Sequence, residues 1–210
     1  MVAPAGAVLD ATFATAALSM GFGKSTVLSG VDVQVPRHQV TALVGPTGSG
    51  KTTFLRSLNR MNDRVRGYWR QGAISFDGVD IHDPRLDRLV LRRRVGMVFQ
   101  RPNPFPMSIL DNVIAGVKAH KMAPHGSLRD IAETRLAEVG LWAVLSDRLS
   151  DSPFRLSGGQ QQLLCLARAL AVEPSVLLLD EPTSSLDPHS TEAVEELVRR
   201  ISDRVSIVIV

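Results

Sequence analysis

The sequence predicts an α/β fold with a mixed, partly parallel core sheet, an antiparallel sheet toward the N-terminus and a helical stretch in the middle. Three observations carry this. Residues 40–44 are a short apolar run that passes through a glycine-rich loop into Phe54, Leu55, Leu58 and Met61, which recur at helical spacing. Residues 95–99, 175–179 and 206–210 are further short apolar runs, the pattern of core strands. Val31, Val33 and Val35 alternate, and residues 73–76 stop at Asp77-Gly78, a pair suited to a tight turn.

Each element follows in order. Residues 1–20 are apolar and rich in small side chains, with no basic segment, so a loose start leading into the first strand is expected rather than a secretory leader. The valines at 31, 33 and 35 predict an edge strand of the antiparallel sheet, and residues 40–44 a buried strand. Arg85, Arg88 and Arg92-Arg93-Arg94 are interrupted by Asp83 and Asp87 and interleaved with Leu86, Leu89 and Val90. They read as a solvated helix face running into the strand at Val95, not as a nucleic-acid patch. From Gln100 to Leu156 the pattern is helical. Ile109, Val113 and Val117 share a face, as do Leu128, Ile131 and, approximately, Val139. Asp187 can cap a helix, Pro188 suits its first position, and Val194, Leu197, Val198 and Ile201 line one side.

Composition sets limits. A chain of 210 residues, 44% hydrophobic, holds one compact unit with a small subdomain. No run of eighteen apolar residues spans a bilayer. Cys165 is the single cysteine, in an apolar helical stretch, and reads as a small buried hydrophobe. The net charge is +3, and none of the five histidines pairs at zinc-ligand spacing; His120 and His125 fall in a polar, proline-containing turn.

The chemistry starts at Gly45-Pro46-Thr47-Gly48-Ser49-Gly50-Lys51-Thr52. The glycines let the backbone curl around an anion with successive N–H groups turned inward. Lys51 would reach the β- and γ-phosphates of a nucleotide, and Thr52 would offer its hydroxyl to Mg²⁺. Strand, loop and helix together describe a P-loop NTPase core, with the phosphates at a helix N-terminus. Val176-Leu177-Leu178-Leu179 followed by Asp180-Glu181 reads as a parallel strand whose acids stand at its C-terminal end, where open α/β sheets bind ligands. Asp180 is the candidate Mg²⁺ ligand and Glu181 the candidate general base for an attacking water.

The phosphate loop, Gln100 after Val95-Gly96-Met97-Val98-Phe99, the turn Leu156-Ser157-Gly158-Gly159-Gln160, Asp180-Glu181 and Ser185-Leu186-Asp187 span most of the chain. In this order they resemble the nucleotide-binding subunits of ATP-binding cassette (ABC) transporters. The resemblance implies a single ATPase domain over residues 1–210. Residues 1–99 and 160–210 would be the ATP-binding core with its antiparallel β-subdomain, and 100–159 an inserted α-helical signature subdomain. It implies that Ser157, Gly158, Gly159 and Gln160 contact ATP held by a second copy of the chain, so that a homodimer closes on two shared ATPs. Asp187 would lie in the loop linking the two sites. Gln100 would ligate Mg²⁺ or water beside Thr52 and Asp180, act with Lys51 and Glu181 in catalysis, and sense a membrane partner. Thr53 would complete the phosphate-loop contacts. Phe22 would stack on adenine, unless it is only a turn residue packed on the sheet between Gly21 and Gly23. The implied partners are integral-membrane permease subunits, with an extracytoplasmic solute-binding protein in the full system, and no nucleic acid. The implied place is the cytoplasmic face of the membrane, and Mg²⁺ arriving with ATP is the only metal expected.

Two segments, Gln100-Arg101-Pro102-Asn103-Pro104-Phe105-Pro106-Met107-Ser108-Ile109 and Leu58-Asn59-Arg60-Met61-Asn62, resemble those of ATPases of bacterial phosphate importers. Import of inorganic phosphate is therefore expected, with other importers as the alternative. The three prolines predict a stiff, extended surface suited to docking a permease helix. Two departures from the family stand out. Leu163 replaces a basic residue that commonly follows the turn. The sequence stops at Val210, before a histidine that in the family contacts the γ-phosphate, and His189 does not stand in its place. The expectation is that binding outlasts turnover, since one lost transition-state contact typically costs about 10²–10³ in rate. A chain with little or no hydrolysis is the alternative. The last strand is expected to expose an unpaired apolar edge.

Overall fold

The computed structural model describes residues 10–122 and 127–210; the start of the N-terminal stretch and His125 lie outside them. The chain runs β1 (Ala11–Phe22), β2 (Ser25–Val31), β3 (Gln34–Pro36), β4 (Val40–Ala42), α1 (Lys51–Ser57), β5 (Tyr68–Phe76), β6 (Val79–Asp80), α2 (Arg88–Arg94) and β7 (Val95–Val98). It continues through α3 (Ile109–Ala119), α4 (Leu128–Glu138), α5 (Trp142–Leu145), α6 (Gly158–Leu170), β8 (Val176–Leu179), α7 (Pro188–Ile201) and β9 (Ser206–Ile209). An antiparallel sheet has the order β2-β1-β5-β6, with β3 also paired to β1; a parallel sheet has the order β4-β9-β8-β7.

The parallel sheet is covered on both sides, which is why its strands are unbroken apolar runs. Along β8, Leu177 and Leu179 join the core under α3, α4, α6 and α7, whereas Val176 and Leu178 join the core shared with α1 and the antiparallel sheet. The strand period of two deals successive side chains to the two cores.

Several expectations change. Residues 11–20 are not a loose start but most of a twelve-residue strand. Alanine and serine favour strands weakly, yet β2 and β3 pair along one edge of β1 and β5 along the other, and that pairing prevails. The strand at 31–35 is broken: β2 ends at Val31 and β3 begins at Gln34. Between them the Asp32 carboxylate accepts the Ala17 N–H at 2.6 Å, at the bulge where Ala17 has φ 46°. The three valines still contribute to one core. Residues 40–44 do not form a buried strand. β4 has only three residues and a single neighbour, β9, leaving Val40 45% and Val44 92% exposed. The last strand, in turn, has no open edge, because β9 lies between β4 and β8 with Ile207 and Val208 buried.

The helices follow their stripes. α3 buries Ile109, Val113 and Val117. The buried line of α4 passes through Ala132 and Leu136, with Leu128 and Ile131 beside it. In α2 only Leu91 is buried, and Leu89 and Val90 face out. Arg92 and Arg94 are not simply solvated: Arg92 donates to the carbonyls of Asn59 and Arg60, and Arg94 to Asp77. His189, in the first turn of α7, and Leu163, buried on α6, complete the placements.

Candidate functional site

Gly45 to Gly50 form the loop between β4 and α1, and residues 44–49 are exposed. Gly48 and Gly50 have φ of 80° and 92°, a region that L side chains rarely adopt. Gly50 is also the N-cap of α1, and a Cβ there would stand 2.8 Å from Leu28 Cδ2. No side chain caps this helix start, so its leading N–H groups remain available to an anion. Lys51 Nζ donates to the carbonyls of Gly45 at 2.9 Å and Pro46 at 3.0 Å, folding its ammonium back over the loop.

Thr52 and Arg56 lie one turn apart on α1 and both reach Asp180 at the end of β8. Thr52 Oγ1 donates to Oδ1 at 2.7 Å, and Arg56 Nη2 to Oδ2 at 3.2 Å. Asp180 is only 3% exposed, and burying a carboxylate is costly without such donors. Arg56 was missed by sequence reasoning, although its i, i+4 spacing from Thr52 was the available signal. The hydroxyl and carboxylate converge as an all-oxygen set that fits Mg²⁺, an ion that keeps several waters and phosphate oxygens of its own. Among the described residues no group of three or more His, Cys, Asp or Glu is arranged for a metal.

Glu181 has φ 46°, a strained conformation for a non-glycine residue that costs about 1–3 kcal/mol. Its carboxylate accepts Gln100 Nε2 at 2.9 Å, across the adjacent ends of β7 and β8. The parallel pairing thus joins two candidates 81 positions apart. Gln100 faces Glu181 in this state, and it has no hydrogen bond to Thr52 or Asp180.

Ser157 is the N-cap of α6. Its Oγ accepts the Gln160 N–H at 3.2 Å, and Gln160 Oε1 accepts the Ser157 N–H at 3.1 Å, a reciprocal capping box. Ser157 and Gly158 are exposed, whereas Gly159 is buried against Ser190. Asp187 caps α7, accepting Ser190 N–H at 3.0 Å and Ser190 Oγ at 2.7 Å; these bonds hold its carboxyl below the usual range. Within the chain this turn makes no hydrogen bond to the phosphate loop, Asp180 or Glu181. Phe22 ends β1 with its ring centroid 5.7 Å from that of Tyr68. It does not line the apolar hollow beside the phosphate loop, which is walled by Leu28, Val33, Leu43 and Phe54.

The segment after Gln100 is held from α3 and α6. Asn112 accepts the Phe105 N–H at 2.7 Å and donates to the carbonyls of Phe105, Met107 and Ser108. Arg168 donates to Asn103 and lies 4.1 Å over the Phe105 ring; burial lowers the pKa of its guanidinium. Phe105 and Met107 remain exposed. The stiffness predicted from three prolines is reinforced by these two side chains.

The chain resembles known proteins over most of its length. The sequence profile of the family described as "ABC transporter" matches residues 28–184. The chain is 63% identical to "Phosphate import ATP-binding protein PstB" of Mycobacterium intracellulare, over 92% of this chain and 67% of that protein. It is 51% identical to the protein of the same description from Thermotoga maritima, over 90% and 75%. Among solved structures it resembles cbiO1 from Clostridium perfringens, described as part of the ABC transporter complex cbiONQ, with TM-score 0.78, 28% identity and coverage of 95% and 78%. A bacterial Atm1-family ABC exporter with ATP bound superposes with TM-score 0.77 at 26% identity, over 99% of this chain and 35% of the exporter. A loop shaped for nucleotide phosphates, in a fold and sequence shared with these ATPases, is what the residues converge on: the chain belongs to the ABC transporter family.

Proposed function

We propose that this chain binds and hydrolyses ATP to energise import of inorganic phosphate through separate permease subunits. The observation that carries the ATPase reading is the meeting of Thr52, Asp180, Gln100 and Glu181 at the C-terminal ends of β7 and β8, beside the phosphate loop. The cargo is inferred from the likeness to relatives described as phosphate import proteins.

ATP phosphates occupy the loop from Gly45 to Thr53, and Lys51 exchanges its two carbonyl partners for β- and γ-phosphate oxygens. Thr52 and Asp180, joined by Gln100 once it leaves Glu181, would hold Mg²⁺, which offsets phosphate charge when bound. Glu181 takes a proton from the attacking water; its strained backbone fixes where that carboxylate stands. Phe22, backed by Tyr68, offers a face to adenine. Ser157, Gly158, Gly159 and Gln160 of a second copy close over the γ-phosphate, and Asp187 lines the interface. Residues 100–159 form the signature subdomain, whose proline-rich segment with exposed Phe105 and Met107 meets the permease at the cytoplasmic face of the membrane. A solute-binding protein outside delivers the cargo, and nucleic acid has no part.

The test is uptake of radiolabelled phosphate by cells lacking their own phosphate-import ATPase and supplied with this chain and its permease. Restored uptake that is lost in Glu181→Gln supports the proposal. Uptake of a different solute, with none of phosphate, overturns the cargo assignment.

A further inference from the structure

Three consecutive glutamines on α6 do three different things. Gln160 closes the capping box at Ser157, and Gln161 Nε2 donates to the Leu156 carbonyl. Gln162 instead leaves its own helix. Its Nε2 donates to the Phe99 carbonyl at 2.9 Å and to the Pro182 carbonyl at 3.1 Å. Phe99 immediately precedes Gln100, and Pro182 immediately follows Glu181. One side-chain amide, fully buried, is therefore pinned between the backbone roots of both residues that face each other at 2.9 Å.

The arrangement is chemically specific. Both partners are oxygens, so only the amide nitrogen can face them; turning the amide over would set oxygen against oxygen. Gln162 Oε1 is buried without a partner among the described residues, a cost borne so that Nε2 can make its two bonds. Glu181 itself is held at φ 46°, and such strain persists only where the surroundings over-determine it.

We propose that Gln162 is a positioning residue that yokes the helix bearing the Ser157 turn to the Gln100–Glu181 pair, so that a shift of α6 at a closing dimer reaches both partners together. This rests on the reading that Glu181 takes the proton of the attacking water and that Gln100 joins the Mg²⁺ ligands beside it. Gln162 does not touch ATP; it acts through the two loops it holds.

The test compares Gln162→Leu, of similar volume but without donors, with Gln162→Met as a second variant should the first fold poorly. ATP affinity, KM and kcat per ATP-binding site are measured for each, alone and combined with Gln100→Ala, with Glu181→Gln as control. Misplacing reacting groups by about 1 Å costs up to about 10²-fold, so kcat is expected to fall about 10–10²-fold. ATP affinity and KM are expected to stay within about threefold, because the phosphate loop is untouched. Combined with Gln100→Ala, the loss is expected to be smaller than the product of the two single losses, since both act on one unit. An unchanged kcat per site, or strictly multiplicative losses, overturns the proposal. Should Glu181→Gln itself retain full turnover, the underlying reading fails and the yoke falls with it. Full loss in Glu181→Gln with none in either Gln162 variant sinks the yoke alone.

Discussion

Gly159→Ala tests how the start of α6 is held against the start of α7. A Cβ on Gly159 would stand 2.0 Å from Ser190 Oγ and 2.6 Å from Ser190 Cβ. The hydroxyl can rotate away by giving up its 2.7 Å bond to Asp187, but Ser190 Cβ is fixed to the backbone of α7. Carbon atoms pack at about 3.5–4.0 Å, so the two helix starts must part by about 1 Å. Overpacking of this kind costs about 1–3 kcal/mol. Replacing glycine within a helix returns about 0.5–1 kcal/mol, so from the middle of that range, about 2 kcal/mol, a net loss of about 1–1.5 kcal/mol remains. At about 2–4 °C per kcal/mol for a chain of this size, thermal unfolding is expected to move down by about 2–6 °C. Turnover should fall by up to about 10²-fold, because the Ser157 turn moves with the helix. Gly158→Ala is the stability control, since a Cβ there meets nothing within 4 Å. Ser190→Gly removes the obstructing carbon and should restore much of the loss when combined with Gly159→Ala. A melting temperature unchanged in Gly159→Ala, or a double variant in which the two losses simply add, would refute the contact.

Further outcomes are expected. Lys51→Ala should weaken ATP binding by more than about 10²-fold in calorimetric titration, as charge-assisted hydrogen bonds to phosphate are lost; unchanged affinity would remove the phosphate-loop assignment. Glu181→Gln should keep ATP binding and lower turnover about 10²–10⁴-fold, the usual worth of a positioned base; steady-state hydrolysis by the variant at the parent's rate would dismiss Glu181 as that base. Ser157→Arg should leave ATP binding to the single chain intact and abolish ATP-dependent dimerisation in sedimentation, and normal dimers would argue against a shared site. Asp111, Asp130 and Asp187 each accept a bond at a helix start and have pKa values below the ordinary 3.8. Their contribution is therefore fully present above that value and lost as pH falls through the lower folded values. Protection from hydrogen exchange at the starts of α3, α4 and α7, taken relative to the intrinsic rate at each pH, should be insensitive to these carboxyls near neutrality and fall in acid; protection already falling at neutral pH would contradict it.

Much of the site was legible because its chemistry is local. The loop from Gly45 to Thr52 states its own shape, since glycines at 48 and 50 are where φ must be positive. Asp187 and Pro188 announce the start of α7, and it begins there. What stayed hidden depends on which strands lie side by side. Arg56 and Gln162 are ordinary residues on helical stripes until β7 and β8 bring Asp180, Phe99 and Pro182 to them. Phe22 could not be divided between a base platform and a packing role, because its neighbour Tyr68 lies on another strand.

Residue order alone determined the α/β class, the phosphate loop and the acids at the end of β8, since backbone curvature, helix caps and apolar periodicity act over a few neighbouring residues. Only the tertiary structure decided that β9 is interior and β4 an edge, that residues 11–22 form a long strand, and that Gln100 faces Glu181. Those outcomes come from pairing between distant segments, where the hydrogen-bonding partner, and not the strand's own composition, sets burial.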